Sequence, residues 1–231
     1  MDNEDYLVNR PDLGDRSEVQ AGEFYPVVGV GPHPKPWPEG EQYDPQYLEN
    51  GDKRNVLDKY RYWSVEAIVK DLNKSRNPLH IAIENWQHDL NIGSVVRTAN
   101  AFNVAGVHII GKRDWNKRGA MVTDKYLQLF HHATPKEFSD WSKENNVPVI
   151  GIDNVENCEP LETAKLPSPC AFLFGQEGPG LSDEAIAICE KIYEIKQYGS
   201  TRSMNASAAG AIAMFAWGLQ HISLKIGRAH V

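Results

Sequence analysis

From Pro78 onward the chain alternates short apolar runs with stretches of helical spacing. His80-Ile81-Ala82-Ile83 reads as a strand, followed by a polar turn that leads to Asn91. Between Asn91 and Phe102 the apolar residues Ile92, Val95, Val96, Ala99 and Phe102 recur as on one side of a helix. Val107-His108-Ile109-Ile110 predicts a second strand closed by Gly111, and a further short strand is expected around Leu127 to Phe130. Thr134 suits the cap and Pro135 the first position of a helix running to Asn145. Val147 to Ile152, Ala171 to Phe174 and Ile192 to Ile195 read as strands, and Ser182 to Glu190 as a helix capped by Ser182. Strands so short and apolar, alternating with helices, predict an α/β fold: a parallel sheet with helices on both faces.

Two segments depart from this rhythm. After Ile195 a polar turn, Gly199-Ser200-Thr201-Arg202-Ser203, precedes a stretch from Asn205 to Trp217 that carries no charge. A helix without a polar face is expected to be buried all round. Its small residues, among them Ala208, Ala209, Gly210, Ala211 and Ala213, leave room for another backbone or another subunit. Asn205 and Ser207 suit its start, where side-chain oxygens accept orphan N–H groups. At the other end, residues 1–75 hold much of the acidic charge and a proline-rich run from Gly31 to Pro38 that favours extended backbone. Asp52 to Asn73 reads as partly helical, with Val56, Leu57, Tyr60, Trp63, Ile68, Val69 and Leu72 able to form an apolar stripe. An arm wrapping the main domain and, for residues 1–45, a disordered tail are the two expectations there.

Composition narrows the class. The length of 231 residues suits one large domain, or a domain of about 150 residues with an extension. The acidic start lacks the basic and apolar regions of a signal peptide, and no window approaches the roughly 18 apolar residues of a membrane span. Cys158, Cys170 and Cys189 are scattered and odd in number, as expected of reduced thiols in cytoplasm. No cluster has metal-ligand spacing, so no metal is expected, and His131-His132 reads as structural. A net charge of −7 argues against a protein that coats nucleic acid, yet it leaves room for a local basic site.

Ligands of open parallel sheets bind beyond the carboxyl ends of the strands, and three turns at such ends have unusual content. The first holds Asn91, Gly93 and, six residues past Asn91, Arg97. The second, Phe174-Gly175-Gln176-Glu177-Gly178-Pro179-Gly180-Leu181-Ser182, sets three glycines around a carboxylate. It matches neither the dinucleotide fingerprint nor a P-loop. The third carries Arg202, Ser203 and Asn205.

In order and spacing the three together resemble the SpoU (TrmH-type) RNA 2′-O-ribose methyltransferases of the SPOUT superfamily. The signatures stand here as Asn91-Ile92-Gly93 with Arg97, Ala99, Phe102 and Gly106; as Leu173 to Ser182; and as Ile195 to Ala211 with Ser203-Met204-Asn205-Ala206-Ser207. The resemblance covers about residues 78–223. It implies a C-terminal trefoil knot; the chain then divides into an N-terminal extension (1–75), a methyltransferase domain (76–224) and a non-native tail (225–231). The tail expectation comes from Lys225 to Val231, which back-translates to a common sequencing adapter.

The resemblance further implies a homodimer in the cytoplasm that uses S-adenosyl-L-methionine to methylate a ribose 2′-hydroxyl of tRNA or rRNA. Arg97, Asn91, Glu177, Ser203 and Asn205 are then the catalytic set, with Asn91 reaching the loop of the facing subunit. Phe174, Gly175, Glu177, Gly178, Ile195, Gln197, Ser203, Met204 and Asn205 are the expected cofactor contacts. Arg97 is the family's hydroxyl-activating residue. Because a guanidinium is almost never neutral, phosphate binding and stabilisation of the alkoxide suit it better than proton removal. Lys112, Arg113, Trp115, Lys117, Arg118, Lys125 and Arg202 offer cations and one aromatic to RNA. A non-catalytic member of the same fold that binds RNA or cofactor is the alternative; the joint presence of the five catalytic candidates argues against it.

Overall fold

A computed structural model describes residues 29–86 and 91–222, and the chain divides after Ala67 into two compact units. The polar turn after Trp86 and the tail from Lys225 fall outside the described residues.

The first unit has little regular structure. It holds helix α1 (Pro45–Asn50), capped by Asp44, and a single 3-10 turn at Asp58–Tyr60. Residues 31–38 carry no helix or strand, as the prolines dictate. Its centre is the buried Asp52 carboxylate, which accepts from Arg54 N at 3.0 Å, Arg54 Nε at 2.9 Å, Arg54 Nη2 at 2.7 Å and Tyr62 N at 3.0 Å. Burial alone would raise the Asp52 pKa, but these donors outweigh it and hold the group below the usual carboxylate range. The Arg54 guanidinium also lies 3.8 Å over the Tyr47 ring. Asp52–Asn73 is partly helical, as expected, but its apolar residues do not form one continuous stripe. The chain there is broken into the turn at Asp58, helix α2 (Val65–Leu72) and a second 3-10 turn at Asn73–Ser75, and Leu57 is exposed.

The second unit is built on β1 (Asn77–Asn85), α3 (Asn91–Ala101), β2 (Val104–Gly111), β3 (Leu129–His132), α4 (Pro135–Glu144), β4 (Val149–Ile152), β5 (Glu159–Pro160), β6 (Cys170–Phe174), α5 (Asp183–Ala187), β7 (Lys191–Glu194) and α6 (Ala206–His221). The seven strands run in the order β3-β2-β1-β6-β4-β7-β5, all parallel. Thr134 and Ser182 cap α4 and α5 as expected, although α5 ends at Ala187 rather than Glu190. The third strand lies two residues later than its apolar run suggests, because Tyr126 and Leu127 are consumed by a 3-10 turn and its exit.

Alternation along the strands sorts the core into two layers. Leu79, Ile81, Ile83, Ile109, Phe172 and Phe174 pack with Ile92, Val95 and Val96 of α3 and with Met214 and Trp217 of α6. On the opposite face Ala82, Ala171 and Leu173 meet Phe138 of α4 and Ala185 of α5. His80, His108 and His132 stand on that second face. They form a row, His80 Nδ1 to His108 Nε2 at 3.0 Å and His108 Nδ1 to His132 Nε2 at 2.9 Å, against Trp141. His132 is thus structural, and among the described residues no group of three or more His, Cys, Asp or Glu could hold a metal ion.

Helix α6 corrects one expectation. Gly210, Ala213, Met214, Trp217 and Gly218 are buried, but Ile212, Phe215 and Leu219 are 41%, 57% and 63% exposed. The missing charge therefore does not mean burial within one chain; the helix keeps a second apolar face open.

Candidate active site

The loop after β6 is shaped by its glycines. Gln176 and Gly180 pair across it, N–H to C=O at 3.1 and 3.0 Å in the two directions, so the chain folds back within five residues. A side chain on Gly175 would lie 2.0 Å from the Gly180 carbonyl carbon, and Gly178 and Gly180 hold φ of 97° and 74°. Only glycine accommodates such a closure.

Two carboxylates anchor its far end, and sequence reasoning missed both. Asp153, directly after β4, accepts from Leu181 N at 2.7 Å. Glu84, fully buried on β1, accepts from Ser182 N at 2.8 Å, Ser182 Oγ at 2.7 Å and Trp86 Nε1 at 2.9 Å. An acidic residue inside an apolar strand was the available signal for Glu84: a buried charge requires donors.

The three turns meet at Asn91. Its Nδ2 donates to Glu177 Oε2 at 2.5 Å, and its Oδ1 accepts from Asn205 Nδ2 at 2.7 Å. Asn205 Oδ1 in turn caps α6, accepting from Ser207 N at 3.0 Å and Ala208 N at 3.3 Å. A carboxylate only accepts, so Glu177 fixes which end of Asn91 faces Asn205, and Asn91 fixes Asn205. These contacts lie within one chain.

Beside this row lies a cavity of about 260 Å³. Phe174, Gly175, Glu177, Gly178, Ile195, Gln197, Ser203, Met204 and Asn205 all line it. So do Ala206 and Ala209 of the third signature and Ile152, Asp153 and Asn154, which no motif marked; the rule that sites lie at strand ends was the signal for Asp153 and Asn154. Asn154 Nδ2 donates to Arg202 O at 2.7 Å and ties the third turn to β4.

Arg97 does not line the cavity. It is exposed on α3, about 240° around the helix from Asn91, and makes no hydrogen bond or ion pair among the described residues. Lys112, Arg113, Lys117, Arg118, Lys125 and Arg202 are exposed and Trp115 is half-buried. The loop carrying most of them leans on α3. A Cβ on Gly93 would stand 2.8 Å from the Gly119 and Ala120 nitrogens.

The SpoU rRNA Methylase family model matches residues 78–215, more than half of the chain. This chain belongs to the SpoU family. Among curated relatives, the tRNA (guanosine(18)-2′-O)-methyltransferase of Thermus thermophilus is 26% identical over 156 residues, covering 64% of this chain and 78% of the relative. The 23S rRNA (guanosine-2′-O-)-methyltransferase RlmB of Haemophilus influenzae is 25% identical over 152 residues, covering 62% and 61%. The SpoU fold is also that of the A. aeolicus TrmH/SpoU tRNA modifying enzyme, with a TM-score of 0.60 at 21% identity over 68% of this chain and 81% of that one. AviRb from Streptomyces viridochromogenes, solved with the cofactor AdoMet, gives a TM-score of 0.58 at 23% identity, covering 66% and 64%. No helix of the described residues is long and apolar enough to cross a membrane.

Proposed function

We propose that this SpoU protein is an S-adenosylmethionine-dependent RNA methyltransferase acting on a ribose 2′-hydroxyl of tRNA or rRNA in the cytoplasm. The observation that carries this reading is the row Glu177–Asn91–Asn205, drawn from three distant turns to the edge of one cavity.

The cavity suits S-adenosylmethionine. Ile152, Phe174, Ile195 and Met204 offer apolar surface for an adenine, and the folded-back loop offers backbone amides and carbonyls. Gln176, whose buried Oε1 has no partner among the described residues, supplies an acceptor. Asp153 and Glu177 place negative charge beside a cationic ligand. The bound cofactor supplies an electrophilic methyl group on a sulfonium. Ser203 and Asn205 orient the ribose, and Asn91 and Glu177 hold Asn205 in register. Arg97 binds the adjoining phosphate and stabilises charge developing on the 2′-oxygen.

Because Arg97 stands away from its own chain's cavity, this role requires a second copy. The apolar face of Ile212, Phe215 and Leu219 on α6, next to α3, supports a homodimer in which Arg97 serves the partner's cavity. The reading includes a trefoil knot in which the segment through α6 threads the loop after β6. The packing of α6 on α3 and β6 is consistent with that path.

Methyl transfer to mixed tRNA and rRNA, measured beside calorimetric binding of S-adenosylhomocysteine, tests the assignment. Arg97→Ala is expected to cut transfer roughly a hundred-fold while leaving S-adenosylhomocysteine affinity unchanged. Wild-type turnover by that variant would end it.

A further inference from the structure

A second cavity, of about 340 Å³, lies along the edge strand β3 (Leu129 to His131), beside Ile109 of β2 and the loop that follows β2. Because every strand of the sheet is parallel, the loop after β2 that walls it leaves the same edge of the sheet as the turns around Asn205. Strand spacing puts the two about 15 Å apart, on either side of β1. Its volume falls at the low end of sites that hold small ligands or single groups.

The walls are specific. Trp115 lines the cavity and packs against the main core, and the Lys117 ammonium lies 5.6 Å from the centre of its ring. Arg113 and Lys117 stand at the same cavity, and Lys117 is steered by Asp124 at 3.5 Å. Asp114 adds an exposed carboxylate. His131 Nε2 donates to Gly111 O at 2.8 Å, which leaves Nδ1 as the acceptor of the neutral ring.

The loop is pre-formed rather than merely solvated. Asn85, buried at the end of β1, donates to Lys112 O at 2.7 Å and Asp114 O at 2.9 Å. Asn116 Oδ1 accepts from Arg118 N at 2.9 Å. Side chains on such a loop meet a ligand without first being ordered.

An aromatic face, two cations and two acceptors match an unstacked nucleotide. The ring stacks on the indole, the cations take the flanking phosphates, and Asp114 with His131 Nδ1 receives N–H groups from the base edge. We propose that this cavity holds one unpaired base of the RNA, a few nucleotides from the methylated ribose, and favours a base with an exocyclic amine over uracil. The proposal rests on the RNA methyltransferase reading above.

Fluorescence anisotropy with labelled hexacytidylate and hexauridylate tests it, since the two differ at the amine position. Wild type is expected to bind hexacytidylate more tightly. Trp115→Ala should weaken that binding roughly ten-fold, with most of it restored in Trp115→Phe. Asp114→Asn should abolish the preference for cytosine. Titration with S-adenosylhomocysteine reports whether each variant is folded; if Trp115→Ala fails that check, the exposed Asp114→Asn decides.

Undiminished binding by a folded Trp115→Ala, or an unchanged preference in Asp114→Asn, would overturn the proposal. Equal competition by free cytidine monophosphate would also overturn it, by assigning the cavity to a mononucleotide. Wild type that binds S-adenosylhomocysteine but neither oligonucleotide would refute this cavity's role alone. Wild type that binds none of the three would remove the underlying reading too.

Discussion

Asn91 donates to Glu177 across 2.5 Å, joining residues 86 positions apart in the chain. The same side chain accepts from Asn205, 114 positions away, at 2.7 Å. One amide therefore reads the state of two loops, and it is the sole point among the described residues where all three polar turns touch by side-chain hydrogen bonds.

Asn205 has two separable duties. Asn205→Asp keeps an oxygen for the α6 cap but removes the donor to Asn91 and brings a second charge towards Glu177. Its melting temperature should stay close to wild type while methyl transfer falls at least roughly ten-fold. Asn205→Ala loses the cap as well, at about 1 kcal/mol of stability. Thermal denaturation run beside the methyl-transfer assay checks both; equal activity in Asn205→Asp and wild type would show that the link to Asn91 is idle.

Glu84 should behave as a buried support of the glycine loop. Glu84→Ala leaves the Ser182 N–H and hydroxyl and the Trp86 N–H without their acceptor, at a cost of about 3 kcal/mol. Urea denaturation gives that number. Binding of S-adenosylhomocysteine should weaken with it, since the loop's far end is released.

The histidine row makes the second unit acid-sensitive. Burial, with like charge between neighbours, pushes His108 down to about 2, burial pushes His80 down to about 4, and burial also lowers His132. Folded values below the ordinary 6.5 mean that the unfolded chain binds more protons as pH falls. Stability is thus complete above about pH 6.5 and declines below it, by up to about 1.4 kcal/mol per pH unit for His108. Chemical denaturation at pH 7.5, 6 and 5 should show the decline, and His108→Leu should flatten it.

Gly93 is where α3 meets the basic loop. Gly93→Ala sets a methyl 2.8 Å from the Gly119 and Ala120 nitrogens, so the two must separate. A loss of about 1–3 kcal/mol is expected, together with weaker RNA binding. Wild-type RNA affinity in a destabilised Gly93→Ala would mean that the loop's placement on α3 is irrelevant to binding.

The exposed apolar face of α6 should be an interface between copies. Phe215→Asp is expected to give monomers in sedimentation velocity and to lose methyl transfer, because Arg97 no longer reaches a cavity. A dimeric, active Phe215→Asp would remove that explanation for Arg97.

Much of this was legible before any coordinates. Strand and helix order follow from apolar periodicity, and all nine expected cofactor contacts line one cavity because the motifs lie at strand ends. What the sequence hides is pairing at long range. Glu84 looks like a lone charge until Ser182, 98 residues on, supplies its donors. The uncharged pattern of α6 does not say what packs on each of its faces, and within the chain Ile212, Phe215 and Leu219 stand exposed. Asp52 to Asn73 is partly helical, as its pattern suggests, but its apolar stripe is interrupted. Its apolar residues have helical spacing, but Asp52 draws Arg54 and Tyr62 into a polar knot of hydrogen bonds that no helix permits.

The most direct test incubates the protein with methyl-labelled S-adenosylmethionine and RNA, digests the RNA to nucleosides and locates the label by mass spectrometry. Label on the ribose as a 2′-O-methyl nucleoside is the expected result, lost in Arg97→Ala. Label on a base, or none on any RNA despite tight S-adenosylhomocysteine binding, would contradict it.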